Sequence, residues 1–256
     1  MKIHPSAIVH PSAELGRDVH IGPHSIVGEN VIIGEGVSIA NGVVLQRNVR
    51  LGSGCCIYSG AVLGSVPQDL KYKGEETFLE IGERTVIREF ATVNLGTAQR
   101  GKTVVGSDVM LMAYTHVAHD CDIGNHVILA NAVNMGGHVE IHDHAVVGGV
   151  VPIHQFVRIG CHAMIGGGYR VNQDVCPYVR VAGYPLRVVG LNTVGLRRRD
   201  FSSETIAILK KAYSLLFRSN LNISEAMKRI SSELPQVPEI QNLLGFVADS
   251  KRGIVR

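Results

Sequence analysis

The chain has 256 residues, 45% of them apolar, enough for one domain or two with a core that needs no covalent staple. It has no long apolar run and no apolar signal region after Met1, and its five cysteines form no Cys-x-x-Cys pair; neither a membrane span nor export is expected, and a cytoplasmic protein with reduced thiols is. The net charge of +3 is uneven: residues 190–256 carry eleven Lys/Arg against six Asp/Glu, which suits an acidic partner, while few aromatics and no recognised motif argue against nucleic acid.

From Ile3 to Val171 every sixth residue is a branched aliphatic or Met at 26 of 29 positions. A helix repeats at 3.6 residues and a strand at 2, so neither sustains such a frame. The residue two before each aliphatic is mostly small or β-branched, as in Ala7, Ser25, Val31, Cys55, Ala61, Thr115 and Ala145. This is the signature of hexapeptide repeats. The predicted fold is mainly β: a left-handed parallel β-helix over residues 1–188, with three hexads to each triangular coil. The three exceptions, Asp69, Glu75 and Gln99, mark two loops near 65–79 and 95–103 that leave the phase of the frame intact. Loops carried by a rigid scaffold are where function collects.

After Pro185 the period changes, and residues 189–256 read as a small C-terminal α-helical domain. Ser202 is placed to cap a helix whose stripe is Ile206, Leu209, Tyr213, Leu216 and Phe217. Asn222 with Glu225 reads as a capping box for a second helix, which Pro235 and Pro238 are expected to end. A third carries Ile240, Leu243, Leu244 and Val247. These helices are expected to close one end of the β-helix, whose last coil is otherwise an open edge.

Coil geometry puts residues eighteen apart above one another, roughly 4.8 Å per coil. His119 then lies below Gly137 and Gln155, Asp120 below His138, and Gly136 below His154. His119, Asp120, His138 and His154 should therefore gather on one edge. Two chemistries suit such a cluster. A neutral imidazole oriented by Asp can act as a general base toward a hydroxyl. Alternatively, three histidines can hold a metal, as in the trimeric β-helix carbonic anhydrases.

The strings Val-Pro-Gln-Asp-Leu-Lys-Tyr (66–72), His-Val-Ala-His-Asp-Cys (116–121), Gly-Gly-His-Val (136–139), His-Gln-Phe (154–156) and Gln-Asp-Val-Cys-Pro-Tyr (173–178) resemble the UDP-N-acetylglucosamine O-acyltransferase family, which performs the first step of lipid A synthesis. The resemblance covers essentially the whole chain. It implies transfer of a 3-hydroxyacyl group from acyl carrier protein to the sugar's 3-position. It implies His119 as general base, Asp120 as the residue that orients it, and the Gly137 N–H as oxyanion donor. Gln68, Asp69, Lys71, His116, His138, His154 and Gln155 are implied at the substrate, and Asn192, Arg198 and Arg199 on the nucleotide side. Gly167, with Met164 nearby, is implied to set acyl-chain length, the Gly being the form that admits a long chain. No cofactor and no metal are implied, since the acyl donor rides on the phosphopantetheine of acyl carrier protein; a homotrimer with sites between subunits is.

Two departures stand out. Asn94-Leu95 replaces the His-Arg of better-known members, where acceptor recognition could change, and Val194 replaces a common Glu. A 3-amino analogue of the sugar remains an alternative acceptor, and the metal-dependent hydratase an alternative activity.

Overall fold

A computed structural model describes residues 1–256. The hexads wind into a left-handed parallel β-helix whose three faces are an 11-stranded and two 8-stranded sheets. Face 1 includes Cys56–Ile57, Met110–Leu111 and Val146–Val147; face 2 includes Val44–Arg47, His116–Val117 and Asn134–Met135; face 3 includes Val49–Leu51, Asp122–Ile123 and Glu140–Ile141. Most pairs are parallel and in register at a step of 18, as in His20 with Ser38 and Ile128 with Val146. The frame aliphatics point inward and are almost wholly buried from Ile21 to Val171. Each such side chain contributes about 1.5–3 kcal/mol on leaving water. Ile3 stays 37% exposed because no coil lies beyond it.

The corners explain why the unit is six residues long. Sixteen non-glycine residues at multiples of six, among them Asp120, His138 and Phe156, adopt a positive φ of 51–63°. That left-handed conformation turns the chain through each corner. Asp, Asn and His accept it most readily, whereas a β-branched residue such as Val150 is strained there. The small slot two before each aliphatic is also buried. Its polar members bond to carbonyls, as Ser25 does to Ala40 and Thr85 to Gly106, both at 2.8 Å.

The excursions are shorter than the frame suggests. Strands Val62–Ser65 and Phe78–Ile81 bracket the first, and Thr92–Asn94 and Lys102–Val105 the second. Asn94 and Leu95 are buried, and the Asn94 amide donates to the Val66 carbonyl at 3.1 Å. The departure at these positions therefore fastens the root of the first loop and does not face an acceptor directly.

Beyond the last coil lies an antiparallel hairpin that periodicity did not reveal, Val179–Ala182 with Arg187–Leu191. It leads into α1 (Thr193–Arg197), α2 (Ser203–Phe217), α3 (Ile223–Glu233) and α4 (Pro238–Ala248). The Ser202 cap and the Asn222–Glu225 capping box form as expected. Pro238 does not end α3; it opens α4, where a missing N–H costs nothing. The helices cover the side of the last coils as well as their end: Phe246 of α4 stacks on Arg158 and meets His142 edge-on. The tail returns to the β-helix, pairing Ile254 with Asp174.

Candidate active site

The corner between faces 2 and 3 holds the reactive cluster. His119 and Asp120 follow the face 2 strand His116–Val117, so the αL turn at Asp120 aims both side chains outward together. His119 Nδ1 lies 2.8 Å from Asp120 Oδ2. Asp120 is 0% exposed, and the other hydrogen bonds to its carboxylate come from the second loop. The Thr97 N–H donates to Oδ1 at 2.8 Å, and the Thr97 hydroxyl donates to Oδ2 at 2.6 Å. Burial pushes this carboxyl up, but the hydrogen bonds from Thr97 and His119 outweigh it and hold it below the ordinary Asp range. A carboxylate here accepts from Nδ1–H, which leaves the Nε2 lone pair of His119 bare.

That free nitrogen lies against Gly137, one coil above. A Cβ added to Gly137 would sit 2.6 Å from Nε2 and closer still to Cε1, so only glycine leaves room for the ring. The Gly137 N–H donates to no acceptor within the chain, while its carbonyl receives the Phe156 N–H. An unspent donor and a bare imidazole nitrogen thus border one small space.

His138 completes the corner. Its Nε2 is 3.5 Å from Asp120 Oδ2, its ring meets His119 edge-on at 5.2 Å, and Phe156 stacks flat against it at 4.6 Å. Burial keeps its pKa below the ordinary His value. His116 faces outward on face 2, bonded through Nδ1 to Thr92 Oγ1 at 2.7 Å, and burial depresses it too. Gln155 is exposed on the same corner, one coil above Gly137. His154 sits beside it with Nδ1 against the Gln155 carbonyl and makes no bond to the other three. A His119–His138–His154 metal set is therefore not assembled. The ligand atoms of His119, Asp120 and His138 do fall within 4.8 Å of one another, but Thr97 and His119 already engage the Asp120 oxygens.

Two depressions flank this corner. One of about 900 Å³ runs from His138 and Phe156 past Arg100 and Arg158 to the tail at Lys251 and Arg252. The other, about 90 Å³, lies between the loops, where Asp69 and Lys71 face Thr97 and Gln99. The Asp69 carboxylate caps the Lys71 N–H at 3.0 Å, which shapes the first loop; Gln68 and Lys71 are exposed.

The remaining expected residues lie elsewhere on the same chain. Arg198 and Arg199 follow α1 at the corner between faces 3 and 1. Asn192 caps that helix, its Oδ1 accepting from Gly195 and its Nδ2 donating to the His162 carbonyl. Buried and so engaged, Asn192 first serves to anchor α1. Met164 projects from face 1, and Gly167 is exposed at the corner between faces 1 and 2. Sequence reasoning missed Thr97, which sits in a loop outside any period. Phe156 could have been found, eighteen residues after His138.

Comparison with known proteins places the chain among named relatives. A family model described as UDP N-acetylglucosamine O-acyltransferase, domain 2, matches residues 174–255, and one for six bacterial transferase hexapeptides matches residues 102–137. The chain is 46% identical to the acyl-carrier-protein–UDP-N-acetylglucosamine O-acyltransferase of Syntrophobacter fumaroxidans over 258 residues, all of both chains. It is 50% identical to that of Thermodesulfovibrio yellowstonii over 207 residues, 80% of each. Among solved structures, the UDP-N-acetylglucosamine acyltransferase of Bacteroides fragilis superposes with a TM-score of 0.97 at 41% identity over 99% of both chains.

Proposed function

The chain belongs to the acyl-carrier-protein-dependent UDP-N-acetylglucosamine O-acyltransferase family, and on that premise we propose how its corner residues carry the reaction. The enzyme moves an acyl group from acyl carrier protein to UDP-N-acetylglucosamine, the opening step of lipid A synthesis, and the metal-dependent hydratase reading is not favoured. In the proposed mechanism, His119 Nε2 takes the proton of the sugar 3-hydroxyl as its oxygen attacks the thioester carbonyl of a 3-hydroxyacyl donor. Asp120 supports the imidazolium that forms. The tetrahedral oxyanion is met by the Gly137 N–H, and the imidazolium returns its proton to the departing pantetheine thiol. The observation that carries this reading is the 2.8 Å Nδ1–Oδ2 contact with the opposite ring nitrogen lying over Gly137.

Gln68, Asp69 and Lys71 of the first loop, with His116, His138, His154 and Gln155, are assigned to the sugar and thioester side. Arg198 and Arg199 suit the diphosphate, for which guanidinium forks are well shaped. Asn192 holds their helix. Because face 3 separates these arginines from His119 within one chain, a site using both needs a second copy, and a homotrimer is the proposed assembly. On face 1, Val86, Met110, Ile128, Val146 and Met164 stack in register as an outward apolar strip. Exposed Gly167 leaves the end of that strip open, which favours a long acyl chain. The basic C-terminal end complements acidic acyl carrier protein. No helix is long and apolar enough to cross a membrane, and a cytoplasmic site with no bound cofactor is proposed.

The test is an assay of the purified protein with UDP-N-acetylglucosamine, its 3-amino analogue and a panel of acyl-carrier-protein thioesters. Long 3-hydroxyacyl donors should give an ester and free carrier thiol. Preference for short chains would overturn the strip assignment, and amide formation alone would overturn the hydroxyl acceptor. Full activity in a sedimenting monomer would contradict the shared site.

A further inference from the structure

A second ladder of histidines runs up the corner between faces 3 and 1, and the reaction above does not use it. His126, His144 and His162 take the αL position in three successive coils. Their rings stack at 4.6 and 4.7 Å, with interplanar angles of 2° and 21°. Tyr178 extends the stack at 5.8 Å, and Phe201 closes on His162 edge-on at 4.9 Å. The segment around α1 is fastened here at three points. Asn192 donates to the His162 carbonyl at 2.9 Å, Phe201 packs on the His162 ring, and between them Arg199 Nη1 lies 2.6 Å from His144 Nδ1.

Chemistry fixes the direction of that last bond. A guanidinium has only donors, so His144 must offer a bare Nδ1 and keep its proton on Nε2. Burial, then the Arg199 charge and His126, hold His144 below the ordinary His range, against the weaker pull of Asp143. The side chains of Arg197 and Arg198 are exposed and make no hydrogen bond, so of the three consecutive arginines only Arg199 is held.

We infer that His144 is a positioning residue for Arg199: its neutral imidazole fixes one edge of the guanidinium so that the remaining N–H groups are presented to the nucleotide diphosphate. This rests on the proposed role of Arg199. An arginine ordered before its ligand arrives loses less rotamer freedom on binding, so the effect belongs to substrate affinity and not to the chemical step.

Steady-state kinetics on four variants tests it. His144→Phe preserves a stacking ring without an acceptor, and His144→Asn restores an acceptor oxygen near the place of Nδ1. Arg199→Ala removes the partner, and the double variant closes the cycle. His144→Phe should raise KM for UDP-N-acetylglucosamine about three- to tenfold, with kcat and thermal midpoint near wild type. His144→Asn should recover most of that loss, and His144→Phe should add nothing in the Arg199→Ala background. An unchanged KM in Arg199→Ala would remove the nucleotide role of Arg199 itself. A raised KM in Arg199→Ala with an unchanged one in His144→Phe would overturn only the positioning role, as would an undiminished effect of His144→Phe in the double variant. Should His144→Phe not fold, His144→Leu replaces it and must show the same KM shift.

Discussion

Two corners of one β-helix, a third of a coil apart, carry histidines at or beside an αL turn and put them to different uses. Between faces 2 and 3, Asp120 is held by the neutral hydroxyl and amide of Thr97, so its charge is left for His119. Between faces 3 and 1, the carboxylate at the foot of the ladder is Asp108, and Arg84 grips both its oxygens at 2.8 Å. Above it, Asp143 pulls only weakly on His144 and His162. Burial wins there, and His162 is pushed down to about 4, with His144 and Arg199 adding to the effect. Both corners turn through αL residues, Asp120 and His138 at one and His126, His144 and His162 at the other, but His119 sits one residue before its turn. An imidazole's place relative to the turn and the bonds its neighbouring carboxylate already makes together separate the base from the stacking rings.

The contrast can be broken first at Gly137. Gly137→Ala forces the His119 ring off its place, and a displacement near 1 Å costs on the order of a hundredfold in turnover. A variant with wild-type kcat would mean that the ring's position over Gly137 is unimportant. Asp120→Asn keeps the shape of the corner but removes its charge. Turnover should fall by about tenfold to a hundredfold with KM little changed; a purely affinity-based loss would reassign Asp120 to substrate binding.

The smallest effect lies at the other corner and concerns stability. His162 has a folded pKa of about 4, below its ordinary 6.5, so the unfolded chain binds the extra proton first. Its contribution is fully present above pH 6.5 and is lost as pH falls toward 4. His162→Phe, which keeps a ring in the stack, should therefore lose less in thermal midpoint between pH 7 and pH 5 than wild type does. Parallel pH profiles would show that His162 is not the titrating group.

Much of this was legible from residue order, because a six-residue frame converts sequence separation directly into height on the coil. Arithmetic at a step of 18 placed His119 under Gly137 and Asp120 under His138, and the same step leads to Phe156. It failed where the chain leaves the frame. Thr97 meets Asp120 from a loop whose path no period encodes, and the hairpin before α1 lies beyond the six-residue frame that located the other strands. Pro238 was ambiguous for a physical reason: proline ends one helix and opens the next with equal ease. The Arg199–His144 contact, 55 residues apart in sequence, depends on how α1 docks and has no signature in the repeat.

The most direct measurement is the turnover of His119→Ala with acyl-carrier-protein thioester and UDP-N-acetylglucosamine, alongside its oligomeric state and thermal midpoint. An otherwise intact protein should lose about a thousandfold in kcat, within the span that a positioned base contributes. Turnover within a few fold of wild type would show that the proton is taken by another group and that the imidazole over Gly137 is not the base.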